Sequence, residues 1–255
     1  EALDLANSVV SDLLHKVQAI CEGYIWMTQK ISLPTAYRAR RMSDRPDSIS
    51  DIWYPPPHLI TRIGRANDIG ESVLYISDSE STAIIEMRPV VGETFAILQM
   101  ALTNPTVLPH VFDIALPETA GGGNPQVGAK FLHKTLLGRA LLGSPEEVEK
   151  LDLIRSFLVR HFTRAVACGA EHEYGLALAI AKFHRSPEID GIWYPSIAGS
   201  LRGTNAALTA EAADRLLRPF ACWMVRIEEE LPDMRYLVRC IAKAGCITED
   251  GHIFW

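Results

Sequence analysis

The stretch that most constrains the fold runs from Gly64 to Glu86. It opens with a polar loop carrying Arg65 and Asn67 and passes into Val73–Ile76, an apolar run of strand length. Ser77 and Glu80 then stand three apart, a capping-box spacing that predicts a helix starting directly after the strand. Pro89 ends that helix by about Arg88, because an interior proline removes a backbone donor and collides with the preceding turn. Glu86 therefore falls on the last turn, beside Ala83, Ile84 and Ile85. A carboxylate there faces the unfavourable end of the helix dipole. Either it points to water, or something cationic is meant to meet it.

The remaining chain mixes helical and extended patterns. Leu3 to Ile25 has apolar residues at three- and four-residue steps and predicts an amphipathic helix. Thr35–Arg40, Glu93–Leu102, Thr106–Ile114, Asp190–Ser196 and Ala221–Ile227 read as strands or strand-containing turns, and Asn205–Leu208 follows a glycine-containing loop. Ser43 to Pro57 is a long loop, and long ordered loops often frame sites. Helices are expected at Gly128–Leu142, at Tyr174–His184, and from a Ser144 N-cap to Cys168. Tyr236–Trp255 is expected to form a hairpin turning at Asp250-Gly251. Without regular βαβ alternation the pattern favours an α+β fold. The expected divisions are a helical extension over 1–30, a main domain over 34–230, and a hairpin-like extension over 231–255.

Composition narrows the function classes. A chain of 255 residues, 48% hydrophobic and 22% charged, suits one large globular domain or two small ones. Net charge is −6 and no basic stripe is evident, so direct nucleic-acid binding is not expected. Arg38, Arg40, Arg41 and Arg45 cluster locally; on charge alone they read as a solvated loop, the sharper alternative being a site for a small anion. No apolar run reaches membrane-spanning length, and no signal-peptide pattern is visible. Five widely spaced cysteines suit a reducing cytoplasm, and none has zinc-ribbon spacing. Glu171-His172-Glu173 reads as a solvated turn, so no metal is expected. Gly121-Gly122-Gly123-Asn124-Pro125 lacks the Lys-Ser/Thr ending of a P-loop and reads as a surface loop. Ser196 follows Tyr-Pro, so no nucleophile elbow surrounds it.

What remains is Arg38, Glu86 and Ser196, with Tyr75 and the Arg65/Asn67 loop. Here the sequence resembles the RES domain of bacterial toxin–antitoxin toxins, named for an arginine, a glutamate and a serine. The matching pieces are Tyr37-Arg38, Gly64-Arg65-Ala66-Asn67, Leu74-Tyr75, Ala83-Ile84-Ile85-Glu86, Asp190–Ser196 and Gly203–Leu208, in the family's order from about Pro34 to Ile227. Ala66 stands where the family usually has an aromatic. Arg38 and Arg40 compete for the first position, and Arg38 is chosen because it follows Tyr37.

The resemblance implies an ADP-ribosyltransferase-like fold, with two small sheets around an NAD+ cleft, flanked by helices. It implies NAD+ as substrate, broken down by phosphorolysis, with inorganic phosphate as co-substrate, or by hydrolysis; ADP-ribosyl transfer to a protein is the alternative. It also implies an inhibiting antitoxin, and leaves a homo-oligomer open. Arg38, Tyr75, Glu86 and Ser196 are the expected catalytic residues, and Tyr37, Arg65, Asn67 and Asn205 the expected NAD+ contacts. The chemistry agrees. Cleaving the nicotinamide–ribose bond passes through an oxocarbenium-like cation that Glu86 would face. Arg38 could grip phosphate as a fork, Ser196 donate to a phosphate or nicotinamide oxygen, and Tyr75 offer a ring and a hydroxyl. A non-catalytic binding module, with the N-terminal helix packed on another chain, is a further alternative.

Overall fold

The computed structural model describes residues 2–21, 28–114, 145–167, 169–198 and 203–255. The Gly121–Pro125 stretch, the helix expected at Gly128–Leu142, the Ser144 cap and Cys168 lie outside the described residues. Nine strands pair into one sheet: β1 (Thr28–Lys30), β2 (Ala36–Arg41), β3 (Val73–Ser77), β4 (Thr94–Leu102), β5 (His110–Asp113), β6 (Gly191–Pro195), β7 (Thr204–Thr209), β8 (Leu217–Leu231) and β9 (Arg235–Lys243). Their spatial order is β1-β5-β6-β7-β3-β2-β4-β8-β9. Among the described residues only β5 and β6 pair in parallel. That is the sheet of an α+β chain, as the missing βαβ alternation implied. The described helices are α1 (Ala2–Cys21), α2 (Glu80–Glu86), α3 (Pro145–Phe162), α4 (Gly175–Phe183) and α5 (Ala210–Leu216). None is long and apolar enough to cross a membrane, among the described residues.

The two small sheets implied by resemblance are here a single large sheet beside one two-stranded ribbon, β10 (Cys246–Ile247) with β11 (Ile253–Phe254). The physical reason lies in the middle of the large sheet. β2 meets β3 through one residue pair, Tyr37 with Ser77, whereas β2 runs beside β4 from Ala36 to Arg41 and β3 beside β7 along its whole length. The sheet is continuous but joined there at a point, and the two halves part around it.

Alternation along the strands explains where the core sits. In β4, Ala96, Leu98 and Met100 point to one face, where they meet Leu74, Ile76, Leu208 and Met224. Phe95 and Ile97 point to the other, with Ala83 and Ile84 of α2 and with Val225 and Ile227. Val73 and Ala207 share that second face but join a separate cluster, built on Val17 of α1, Leu158 and Phe162 of α3, and the buried Ala177–Ala181 run of α4. One face thus carries a continuous core, while the other carries two cores with a gap between them. α1, expected from its apolar spacing, packs on α4: Leu13 lies against Gly175, and Val17 is fully buried.

Two boundaries differ from the sequence reading. α3 ends at Phe162 rather than running to Cys168. Beyond it, the carbonyls of Phe162, Arg164 and Val166 accept from Arg65 and Arg88 instead of continuing a helix. The C-terminal region holds two hairpins rather than one. β8 turns into β9 through Asp233 and Met234, both at positive φ without a glycine to announce them. The turn at Gly251 closes only the short β10–β11 ribbon.

Candidate active site

The gap between the two cores is a cavity of about 510 Å³. Its floor is the parting of β2 and β3, and its walls come from both cores: Tyr37, Ala83 and Met87 on one side, Tyr75, Tyr174 and Tyr194 on the other. Arg38, Tyr75, Glu86, Arg65, Asn67, Tyr37 and Asn205, the residues singled out from the sequence, all line it. Ser196 lies behind the wall, fully buried, and reaches the site through Glu86.

Glu86 ends α2 and turns its carboxylate into the cavity. One oxygen, Oε1, accepts from Ser196 Oγ at 2.6 Å and from Asn205 Nδ2 at 2.8 Å. Asn205 is itself set by Ser77, whose hydroxyl donates to Asn205 Oδ1 at 2.7 Å. The donors that meet this carboxylate at the wrong end of its dipole are therefore neutral, and both are spent on one oxygen. Oε2 has no hydrogen-bond partner among the described residues. This geometry gives the Ser196 hydroxyl the task of holding the carboxylate.

The helix that carries Glu86 starts one turn of logic away from its sequence signature. Ser79, not Ser77, is the N-cap and accepts from the Thr82 N–H. Ser77 is the last residue of β3 and belongs to the Asn205 network instead. Asp78 locks helix to strand: its carboxylate accepts from Thr82 Oγ1 on α2 and from the N–H and hydroxyl of Thr204 on β7. Gly203, at φ +77, lets the chain turn there; a Cβ would stand 2.3 Å from Thr82 Oγ1.

Among the described residues four guanidiniums line the same cavity, and each is held by backbone carbonyls. Arg38 donates from Nε to Ile52 O and from Nη1 to Tyr75 O, so it bridges the parted strands. Arg40 donates to Asp51 O, Arg65 to Phe162 O and Arg164 O, and Arg88 to Val166 O. No carboxylate pairs with any of the four among the described residues. Carbonyls orient the side chains without neutralising them. Burial, then the neighbouring Arg40, lowers the Arg38 pKa to about 10, which leaves it cationic at neutral pH. Arg65 also lies over the Tyr174 ring, 5.0 Å from its centre, a cation–π contact.

Tyr75 holds the Gly64–Asn67 loop. Its hydroxyl accepts from the Ala66 N–H at 2.9 Å and donates to Asn67 Oδ1 at 2.9 Å. Gly64 is required by this close packing, since a Cβ there would stand 2.2 Å from Asn67 Oδ1. Burial pushes the Tyr75 hydroxyl up to about 12, and burial likewise raises Tyr194 well above its ordinary value. Both act as neutral phenols. The Tyr37 hydroxyl accepts from Gln99 Nε2, and its ring meets Trp223 edge-on.

Ser77, Arg88, Tyr174 and Tyr194 also line this cavity, and the sequence reading assigns none of them a part in the site; Arg40, weighed there against Arg38 for the family's first position, lines it as well. Tyr194 sits inside the quoted Asp190–Ser196 stretch and was within reach. Arg88 carries no signal: it reaches the cavity from a left-handed conformation at φ 46, just before Pro89. Among the described residues no group of three His, Cys, Asp or Glu side chains is placed to hold a metal ion.

A search of curated proteins returns no match. The sequence model of the RES domain matches residues 35–228, from the start of β2 to the far half of β8. That span holds every residue of the carboxylate and arginine arrangement above and most of the chain. The arginine, glutamate and serine stand together around one cavity, and the chain belongs to the RES domain family.

Proposed function

We propose that this protein cleaves the nicotinamide–ribose bond of NAD+ in the cavity between the two cores. The observation that carries the reading is the pairing of opposite needs in one space. Glu86 offers a carboxylate oxygen that its own donors leave open, and four carbonyl-anchored arginines offer positive charge that no carboxylate among the described residues pairs with. A diphosphate would satisfy the arginines as bidentate or charge-assisted acceptors. The ribose ring would then lie toward Glu86. As the C–N bond breaks, its electron pair leaves with nicotinamide, and positive charge grows on the ring. A fixed carboxylate nearby is worth more to that state than to the neutral ribose, which is the condition for catalysis.

The excess of cations favours phosphate as the nucleophile. NAD+ brings two phosphate charges against four guanidiniums, which leaves room for a second anion. Attack by a phosphate oxygen on C1 would give ADP-ribose-1″-phosphate; attack by water would give ADP-ribose and a proton. The likeness to ADP-ribosyltransferase folds belongs to this proposal, and a sheet that parts beneath the cavity supports it. An enzyme with this activity would drain its own cell's NAD+, so a neutralising antitoxin is part of the reading.

Purified protein incubated with NAD+, with and without phosphate, and the products weighed by mass spectrometry, tests it. Released nicotinamide with phosphate-dependent ADP-ribose-1″-phosphate is the expected result. Intact NAD+ under both conditions would overturn the proposal.

A further inference from the structure

Residues 246–255 lie beyond the family match, yet they lead back to its arginines. The β10–β11 ribbon lays its return strand along the loop after β2. Ile253 N–H donates to Asp47 O at 2.9 Å, and Ile49 N–H donates to Gly251 O at 2.8 Å. Ser48 pairs with His252 between them. The last residue closes the contact: Trp255 Nε1 donates to Pro46 O at 2.8 Å, and the Arg45 guanidinium lies 5.6 Å from the centre of its ring. Ile253 and Ile52 are buried in the same core cluster.

The clamped loop ends in a single turn of 3₁₀ helix, Ile49–Asp51, with a Ser48/Asp51 capping box. The site uses the carbonyls at its end, those of Asp51 and of the C-cap Ile52. Asp51 O accepts from Arg40 Nη1 and Ile52 O from Arg38 Nε, each at 2.5 Å. A guanidinium held by a carbonyl is only as fixed as the peptide that presents it.

We infer that the C-terminal ribbon is a positioning element for the site: through Trp255 and Ile253 it fixes the 46–52 loop and thereby aims Arg38 and Arg40. The inference rests on the reading of the cavity as an NAD+ site for its functional consequence, but not for its structural one.

Two measurements on the full chain separate these. The first needs no substrate. Hydrogen exchange of the Arg38 Nε–H, followed by NMR, reports how often the bond to Ile52 O opens. Trp255→Ala should speed that exchange about tenfold, with the folded circular-dichroism spectrum retained. Unchanged exchange would overturn the inference. The second is a double-mutant cycle on NAD+ affinity. Trp255→Ala should weaken NAD+ binding about fivefold in the native background, the order expected from a small misplacement of a gripping group. In an Arg38→Ala background it should weaken binding no more than twofold, because the ribbon then has less left to aim. Equal losses in both backgrounds would mark the ribbon as generally structural and overturn the inference. If the native protein neither binds nor cleaves NAD+, the proposed function falls, and the exchange measurement still decides the ribbon's role. Trp255→Phe, which keeps the ring and removes the indole donor, should fall between the native protein and Trp255→Ala.

Discussion

At the scale of single residues, the site turns on an asymmetry within one carboxylate. Ser196 and Asn205 both donate to Glu86 Oε1, so the two donors fix the orientation of the group while leaving Oε2 to the cavity. Glu86→Gln keeps the shape and removes the charge. Its turnover number should fall at least 100-fold, the range seen when an electrostatic stabiliser is deleted, with NAD+ affinity within a few-fold of native. Steady-state kinetics beside calorimetry would check both halves, and a full-rate Glu86→Gln enzyme would contradict the assignment. Ser196→Ala is a milder test. Ser196 is buried and alanine fits its space, so the loss is that of a hydrogen bond to a charged acceptor, about 1.5–3 kcal/mol. Turnover should drop about 10- to 100-fold with little change in KM, because the hydroxyl is engaged with Glu86 and does not line the cavity. A large rise in KM alone would instead place Ser196 on the ligand. The identities of these residues were legible in the sequence, but their relations were not. Ser196 and Glu86 are 110 positions apart, and the partners of all four arginines are backbone carbonyls, which leave no mark in residue type.

At the scale of elements, the position of α2 decides where Glu86 points. The strand–helix succession and the stop at Pro89 could be read from local pattern, because hydrophobic run, cap and proline all act within a few residues. The helix start was misplaced by two residues because Ser77 and Ser79 are both chemically competent caps. The choice was made by a distant group: Asn205 takes Ser77 and leaves Ser79 to cap. The same distance hides the Asp78 lock, which joins α2 to β7 through Thr82 and Thr204. Gly203 makes that lock possible. Gly203→Ala adds a methyl where Thr82 Oγ1 already stands and imposes a side chain on a left-handed backbone. It should cost about 1–3 kcal/mol of stability and lower activity as well, since the clash pushes on the helix that carries Glu86. Adding Thr82→Ala should recover the steric part and not the backbone part. Denaturant midpoints of the single and double variants would check this; no recovery at all would mean that the clash is not what the glycine avoids.

At the scale of the whole molecule, a sheet with one continuous core face and one divided face leaves a cavity, and the helical cluster that builds one of its walls carries a titratable flaw. His184 caps the C-terminus of α4, stacked on Phe112 with ring centres 3.5 Å apart, and its Nδ1–H donates to Ile180 O. A helix C-terminus ordinarily favours a protonated imidazole. Burial outweighs that here and lowers the His184 pKa from 6.5 to about 4, with the Ile180 bond opposing only in part. The sign of the consequence follows from linkage. Below pH 6.5 the unfolded chain takes up a proton at this histidine that the folded chain refuses until about pH 4. Stability therefore falls as pH drops through that window, by at most about 3 kcal/mol from this one group. His184→Leu removes the titration. Its urea-unfolding free energy, measured at intervals between pH 7 and pH 4, should decline less steeply than that of the native protein, so that the difference between the two shifts in the variant's favour toward acid whatever its value at neutral pH. Parallel curves would show that the imidazole is protonated alike in both states.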